Sequence, residues 1–229
     1  MRLLRLIEQS VYYAVMDCLT INIADETLTT NDNYYKIYKS RYNNWSVTGN
    51  VVVKKNNEVV SSGITLDYVN GKVIFASANT STDVIKLTYS PCSVNLVQAY
   101  PDDPTSIKLP TVSIEHSETE ERGYEIGSSS RKEINMWFFI DIFAQRSGQR
   151  SDIVDTIKEY FDMDIPVINY NNGFPTNSDG SKNNNFDIFI QTIGYLQTDS
   201  ISVSTSRSLD NGNVEQYVAT LPVLLTYYR

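Results

Sequence analysis

From Glu133 to Ala144 apolar positions recur at every second residue, and from Ser151 to Phe161 they recur every three or four. The first run reads as a strand, because successive strand side chains point to opposite sides. Ile134, Met136, Phe138, Ile140 and Ile142 share one wholly apolar face. Asn135, Trp137, Phe139, Asp141 and Phe143 share the other, which is mostly aromatic. The second run puts Ile153, Val154, Ile157, Tyr160 and Phe161 on one stripe, the mark of an amphipathic helix. Ser151 is its expected N-cap, with Asp152 and Asp155 in the first turn against the positive end of the dipole. A helix with one apolar side needs an apolar surface to rest on, and the preceding strand offers one.

The same reading along the rest of the chain predicts a helix over residues 1–19, where Leu3, Leu4, Ile7, Val11, Ala14, Val15 and Leu19 keep helical spacing. Its basic start and apolar body also fit a signal peptide. Glu8, Gln9 and Asp17 interrupt the apolar stretch and no small-residue cleavage pattern follows, so a structural helix is expected. Residues 47–90 are β-rich throughout. Asn56-Asn57 marks one turn, and Asn70-Gly71 is the strongest hairpin signal, since a type I′ turn needs positive φ at both central positions. A small sandwich or barrel is expected there. Periodicity leaves Ser93 to Tyr100 open between strand and helix, and Pro101-Asp102-Asp103-Pro104 is a rigid break.

Beyond the break, Leu109 to Glu115 starts a strand. The acidic stretch His116 to Gly123, then Tyr124 to Gly127 and a Ser-Ser-Ser-Arg-Lys turn, make a long hairpin arm leading into the strand at Glu133. Ile165 to Ile168 is a short strand. Asn169 to Asn185, dominated by Asn, Gly and Ser, has too few apolar groups to offset ordering and is expected to be a mobile loop. Strands from Ile188 to Val203 and Val214 to Tyr228 close the chain around an Asp210–Asn213 turn. In the last strand Tyr217, Ala219, Leu221, Val223, Leu225 and Tyr227 share a face, while Pro222 argues for an edge or a bulge. The expected architecture is α+β: an antiparallel sheet backed by an amphipathic helix, over residues 1–19 and 105–229, with an inserted all-β subdomain over 20–104.

Composition narrows the function. The 229 residues, 41% hydrophobic, suffice for one domain carrying a smaller one. No run approaches the roughly 18–20 apolar residues that cross a bilayer as a helix. Cys18 and Cys92 have neither metal spacing nor the makings of a disulfide framework, and read as buried thiols. The net charge is −8, and it is uneven. Up to Val97 nine basic residues face eight acidic ones, whereas from Gln98 onward ten face nineteen. An acidic face repels phosphate, which speaks against sequence-reading nucleic-acid binding, yet repulsion is useful where DNA must slide past without sticking.

Candidate chemistry is sparse. A Ser/His/Asp relay would have to use His116, the single histidine, which stands in an acidic stretch and reads as a surface residue. The carboxylate pairs Glu118/Glu120, Glu120/Glu121 and Asp162/Asp164 lack oxygen-cage spacing, and a solvated charge run is their commoner meaning. No phosphate-loop or dinucleotide-turn glycine pattern occurs. The expectation is no catalysis, no cofactor and no metal. Tyr34, Tyr35, Tyr38, Tyr42 and Trp45 read equally well as core or as a partner-binding surface, since tyrosine and tryptophan supply rigid amphipathic area. On the second reading they and the β-rich segment form a glycan- or cell-surface-binding module.

The order of elements resembles the neck and tail-completion proteins of tailed bacteriophages, the tail-terminator group in particular. The resemblance is carried by Pro110 to Glu115, Gly123 to Gly127, Glu133 to Ala144, Arg150 to Ile157 and Ile165 to Tyr170, and covers residues 1–19 and about 105–229. Separately, Gly63 to Phe75 and Asp83 to Ser90 are similar to a small β-module common in phage structural proteins, here placed as an insertion. The resemblance implies a structural virion protein assembled in the host cytoplasm, a homo-oligomeric, commonly hexameric ring joining the head connector to the tail tube. Its partners would be copies of itself and other neck, connector, tube or sheath proteins, with DNA passing through unbound and no membrane involved. Glu118, Glu120, Glu121 and Arg122 are then the candidate lumen or interaction residues. A head-side adaptor or stopper of the connector is the alternative within this class.

Overall fold

The computed structural model describes residues 3–103, 107–123, 132–209 and 215–229. The chain forms two compact units. One comprises Met1–Leu19, Val94–Asn171 and Phe189–Arg229, and the other Thr20–Ser93 with Asn172–Ile188.

Helix α1 (Leu3–Cys18) opens the first unit and buries Leu6, Ile7, Val11, Ala14 and Val15. Leu4, expected on that stripe, is exposed. The chain then builds the second unit from β1 (Ile23–Thr27), β2 (Ile37–Lys39), β3 (Val52–Lys55), β4 (Glu58–Val60), β5 (Ile64–Asp67), β6 (Lys72–Phe75) and β7 (Ile85–Tyr89). These pair into a four-stranded sheet, β1-β7-β3-β4, and a three-stranded one, β2-β6-β5. Their shared core is Tyr38, Trp45, Val53, Tyr68, Val73, Phe75, Ile85, Leu87 and Tyr89.

Two turns correct the hairpin reading. Lys55 pairs with Glu58, and Asn56 and Asn57 both have positive φ (51° and 71°), so the two-residue tight turn lies there. At Asn70-Gly71 the pairing is Asp67 with Lys72, a four-residue connection in which only Gly71 has positive φ. The Asp67 carboxylate accepts the Asn70 backbone N–H at 2.9 Å and so closes that turn by itself.

The chain returns to the first unit with β8 (Asn95–Val97), β9 (Thr111–Gly123), β10 (Lys132–Ala144), α2 (Ser147–Phe161), β11 (Ile165–Ile168), a 3₁₀ turn (Tyr170–Asn172), α3 (Ile188–Gln191), β12 (Thr192–Ile201), β13 (Ser204–Leu209) and β14 (Glu215–Tyr228). The sheet order is β11-β12-β14-β10-β9-β8, with β13 also on β14. The architecture is α+β and sheet-rich, and its sheets are antiparallel apart from β8 alongside β9. β9 and β10 pair from Thr111–Phe143 out to Gly123–Lys132, so the long hairpin arm is present up to its tip. The tip itself, Tyr124 to Arg131, like Pro104 and the Asp210–Asn213 turn, lies outside the described residues.

The organising strand β10 behaves as its alternation dictates on one side. Ile134, Met136, Phe138, Ile140 and Ile142 are all buried. Helix α2 buries Ile153, Val154, Ile157 and Phe161 and packs on β10 and β14, with α1 against α2 and β11, so two helices back the sheet rather than one. Ser10 ties α1 to the sheet: its hydroxyl donates to Leu6 O at 2.7 Å and accepts Ile168 N–H at 2.9 Å. The expected Ser151 cap is a correction. The helix starts at Ser147, its N-cap Arg146 makes no side-chain cap bond, and Asp152 and Asp155 fall beyond the first turn. Residues 147–150 carry no apolar period, so the pattern marked only the part that packs.

Pro222 is a second correction, because β14 is interior, between β10 and β12–β13. Opposite it the neighbouring strand breaks between Ile201 and Ser204, and Ser202 N–H donates to Pro222 O at 3.3 Å. In an antiparallel strand N–H and C=O of one residue point the same way. The missing N–H therefore faces the break, where Ser202 bonds to Pro222 in one direction only.

The partition also differs from the expected one. Residues 94–103 go with the first unit, since β8 adds a parallel strand to β9. The Asn-rich stretch is folded, and from Asn172 on it belongs with the second unit, which runs to Ile188. Thr176 bridges Lys182, Asn183 Nδ2 donates to Phe174 O at 3.0 Å, and Tyr68 N–H donates to Gly180 O at 2.8 Å. Polar side chains bonding to backbone supply the order that apolar burial does not.

Candidate functional site

Cross-strand partners share a face, so the registers of β9, β10, β12 and β14 define the side of the long sheet that the two helices leave alone. On β10 it carries Glu133, Asn135, Trp137 and Phe139; across from them on β14 stand Tyr228, Thr226, Leu224 and Pro222. Tyr195 of β12 continues the row next to Tyr228. Trp137 is 37% exposed, Phe139 36%, Tyr228 46% and Tyr195 57%. Phe138, between the first two in sequence but on the helix side, is 1% exposed. Farther along the same face Asp141 and Phe143 are buried, and Tyr100 stacks edge-on over Phe143 with centroids 5.5 Å apart. The aromatic face of β10 is thus closed at one end and open at the other. An open row of aromatic and aliphatic side chains on a regular sheet is what a docking surface offers.

The arm carboxylates border this row. Glu118 lies opposite Trp137 and Glu120 opposite Asn135, both on the open face, whereas Glu121 lies opposite Ile134 on the helix side, since the faces alternate. Two of the three carboxylates are already paired. Arg122 donates to both oxygens of Glu120, each at 2.8 Å, and Lys132 Nζ donates to Glu121 at 2.6 Å. Lys132 holds the Glu121 carboxyl below the usual range. The acidic run is therefore less bare than its sequence suggests, and among the described residues Glu118 is the one of the three whose carboxylate has no partner. Deeper in, Thr220 donates to Asp141, whose carboxyl is pushed up by burial despite that bond. On the same face Thr226 donates to Asp199.

Of the two readings of the tyrosine cluster, the core one describes most of it. Trp45 (2% exposed) and Tyr38 are core residues, with Trp45 against Tyr89 and Tyr68 at centroid distances of 5.1 and 5.8 Å. Tyr35 and Tyr42 pack against that core, and Tyr34 alone of the five is exposed. A partner platform on these residues is not built. The β-rich segment needed its aromatics to close its own small core.

His116 also departs from expectation. It is half-buried, tilted on Phe138 at 5.3 Å between centroids. Nε2 lies 2.8 Å from Thr119 Oγ1 and Nδ1 3.4 Å from Glu8 Oε1. This row has the order of a hydroxyl–imidazole–carboxylate relay, but Thr119 does not line the neighbouring cavity in which a substrate would sit. Among the described residues no three His, Cys, Asp or Glu side chains are grouped to hold a metal, and no helix is long and apolar enough to cross a membrane.

Sequence reasoning missed Tyr195 and Tyr228 as members of the open face, because their neighbourhood depends on strand order. No protein-family model matches the chain, and no curated protein matches it.

Proposed function

We propose that the chain is a ring-forming structural protein of a tailed-bacteriophage virion, standing at the head–tail junction. One observation carries this reading: a sheet finished on one side by two helices and left open on the other, with Trp137 and Phe139 exposed on β10 and Tyr195 and Tyr228 exposed two same-face positions farther along, beyond Asn135 and buried Thr226. A second copy covering that face would bury area that a lone subunit leaves in water. The β9–β10 arm adds a strut of paired charges and the exposed carboxylate of Glu118, suited to a lumen that phosphate passes without binding. The order of elements supports a tail terminator, with a hexamer as the expected closure and the connector-side adaptor as the second placement. The burial of Tyr38 and Trp45 weighs against a glycan-binding module.

The test is imaging of the assembly that contains the chain. Rings at the neck of the particle, with the open face inside a subunit contact, support the reading. A particle-free, permanently monomeric chain, even with its virion partners present, would sink it. Glu118→Gln tests the lumen role separately: unaltered DNA passage would remove it.

A further inference from the structure

A cavity of about 240 Å³ opens on the helix side of the long sheet, where β9 loses its neighbour. β8 pairs with β9 only from Thr111 to Ser113, so at Ile114 and Glu115 that edge is open. Glu8 and Tyr12 of α1, Gln98 after β8, Glu115 and His116 of β9, and Phe138 of β10 line the space. Its charge is one-sided: the Glu8 carboxylate and no lysine or arginine, since Glu115, opposite Phe139, turns its own side chain to the other face. Its walls are aromatic, with buried Phe138 beneath and Tyr12 beside. The imidazole is held at both nitrogens, by Thr119 at 2.8 Å and Glu8 Oε1 at 3.4 Å, which leaves the second Glu8 oxygen as an acceptor. The volume is below the roughly 300–1,000 Å³ of a drug-sized pocket and suits a single long side chain.

We propose that this cavity binds a guanidinium group. A planar cation fits because it can lie against aromatic rings while its forked N–H donors meet a carboxylate, whereas an ammonium offers no plane to stack. The group comes either from an arginine of a neighbouring protein chain or from a free guanidinium compound. The proposal does not depend on the ring reading, because the cavity lies on the opposite side of the sheet from the open face.

The experiment uses the full chain and its single histidine, whose ring signals in an NMR spectrum belong to His116 alone. N-acetyl-arginine amide is titrated against the wild type, with N-acetyl-citrulline amide as the uncharged isostere. The expected result is a saturable shift of the His116 signals with an apparent Kd of about 1 mM, no shift with citrulline, and at least about tenfold weaker binding in Glu8→Gln. Weakening by salt is expected too. No saturable shift up to about 50 mM, or an equal response to citrulline, overturns the proposal with the wild type alone, whether or not the variant folds. An unchanged Kd in a folded Glu8→Gln overturns it as well. If Glu8→Gln also disrupts assembly, the group is a neighbouring chain's arginine; if assembly persists while the probe binds, it is a free ligand.

Discussion

Two adjacent phenylalanines give the two faces of the long sheet different energetic signatures. Phe138 is 1% exposed, beneath His116 and beside the space that α1 borders. Phe138→Ala removes a buried ring and leaves a cavity that a strand paired on both sides cannot collapse, a loss of about 3–5 kcal/mol. Phe139 is 36% exposed on the open face. Full burial of such a side chain contributes about 1.5–3 kcal/mol, so about two thirds of it amounts to roughly 1–2 kcal/mol, and water fills the space without a cavity term. In the monomeric chain the variants should therefore differ by roughly 2–3 kcal/mol, or some 4–12 °C in Tm for a protein of about this size. Urea unfolding followed by circular dichroism, at concentrations where the chain does not associate, reads the difference. Association should show the reverse order: Phe139→Ala weakens it, while any Phe138→Ala molecules that remain folded keep it. If Phe139→Ala costs the monomer as much as Phe138→Ala, the face is already covered within the subunit and the docking argument fails.

Other outcomes follow from single contacts. Ser10→Ala leaves the buried Ile168 N–H without its acceptor and should cost about 1–3 kcal/mol by chemical denaturation; a change below a few tenths would show that α1 is not tied to β11 this way. Gly180 has φ +82°, and a Cβ there would sit 2.1 Å from Asp67 Oδ1, so Gly180→Ala should lower stability by about 1–3 kcal/mol and loosen proteolytic resistance of residues 172–188. Burial raises the Asp17 carboxyl, with a hydrogen bond from Tyr160 opposing it. The folded state then holds its proton to higher pH than the unfolded one, so this group's contribution is intact below the unfolded value near 3.9 and falls as pH rises through the folded one. Asp17→Asn should accordingly gain stability over the wild type at pH 7 and lose that gain below about pH 4; a gain independent of pH would remove titration as its cause.

What could be read from the sequence was what depends on local alternation. The β9–β10 arm, the buried side of β10, the apolar stripe of α2 and the shared face of β14 follow from periods of two and 3.6, which act within one element. What could not be read depends on neighbours in space. Pro222 pointed to an edge or a bulge, and nothing local shows that the strand beside it breaks opposite its missing N–H. Trp45 and Tyr38 read equally as core or surface, and they are inside because a small β unit with few large aliphatic residues needs its aromatics there. The Asn-rich stretch looked mobile because composition counts apolar burial and not the hydrogen bonds that Asn183 and Tyr68 make with backbone. The open face was half legible: alternation gave Trp137 and Phe139, while Tyr195 and Tyr228 join them only through strand order. The cavity at His116 was invisible, since Glu8 and His116 lie on elements far apart in the chain.

The central claim is that the face carrying Trp137, Phe139, Tyr195 and Tyr228 is a seam between copies. Electron microscopy of the purified chain, to a resolution that shows side chains, tests it most directly. The account predicts closed rings in which those four side chains are shielded by an adjacent subunit; single subunits at every concentration, or rings that leave that face exposed to solvent, would contradict it.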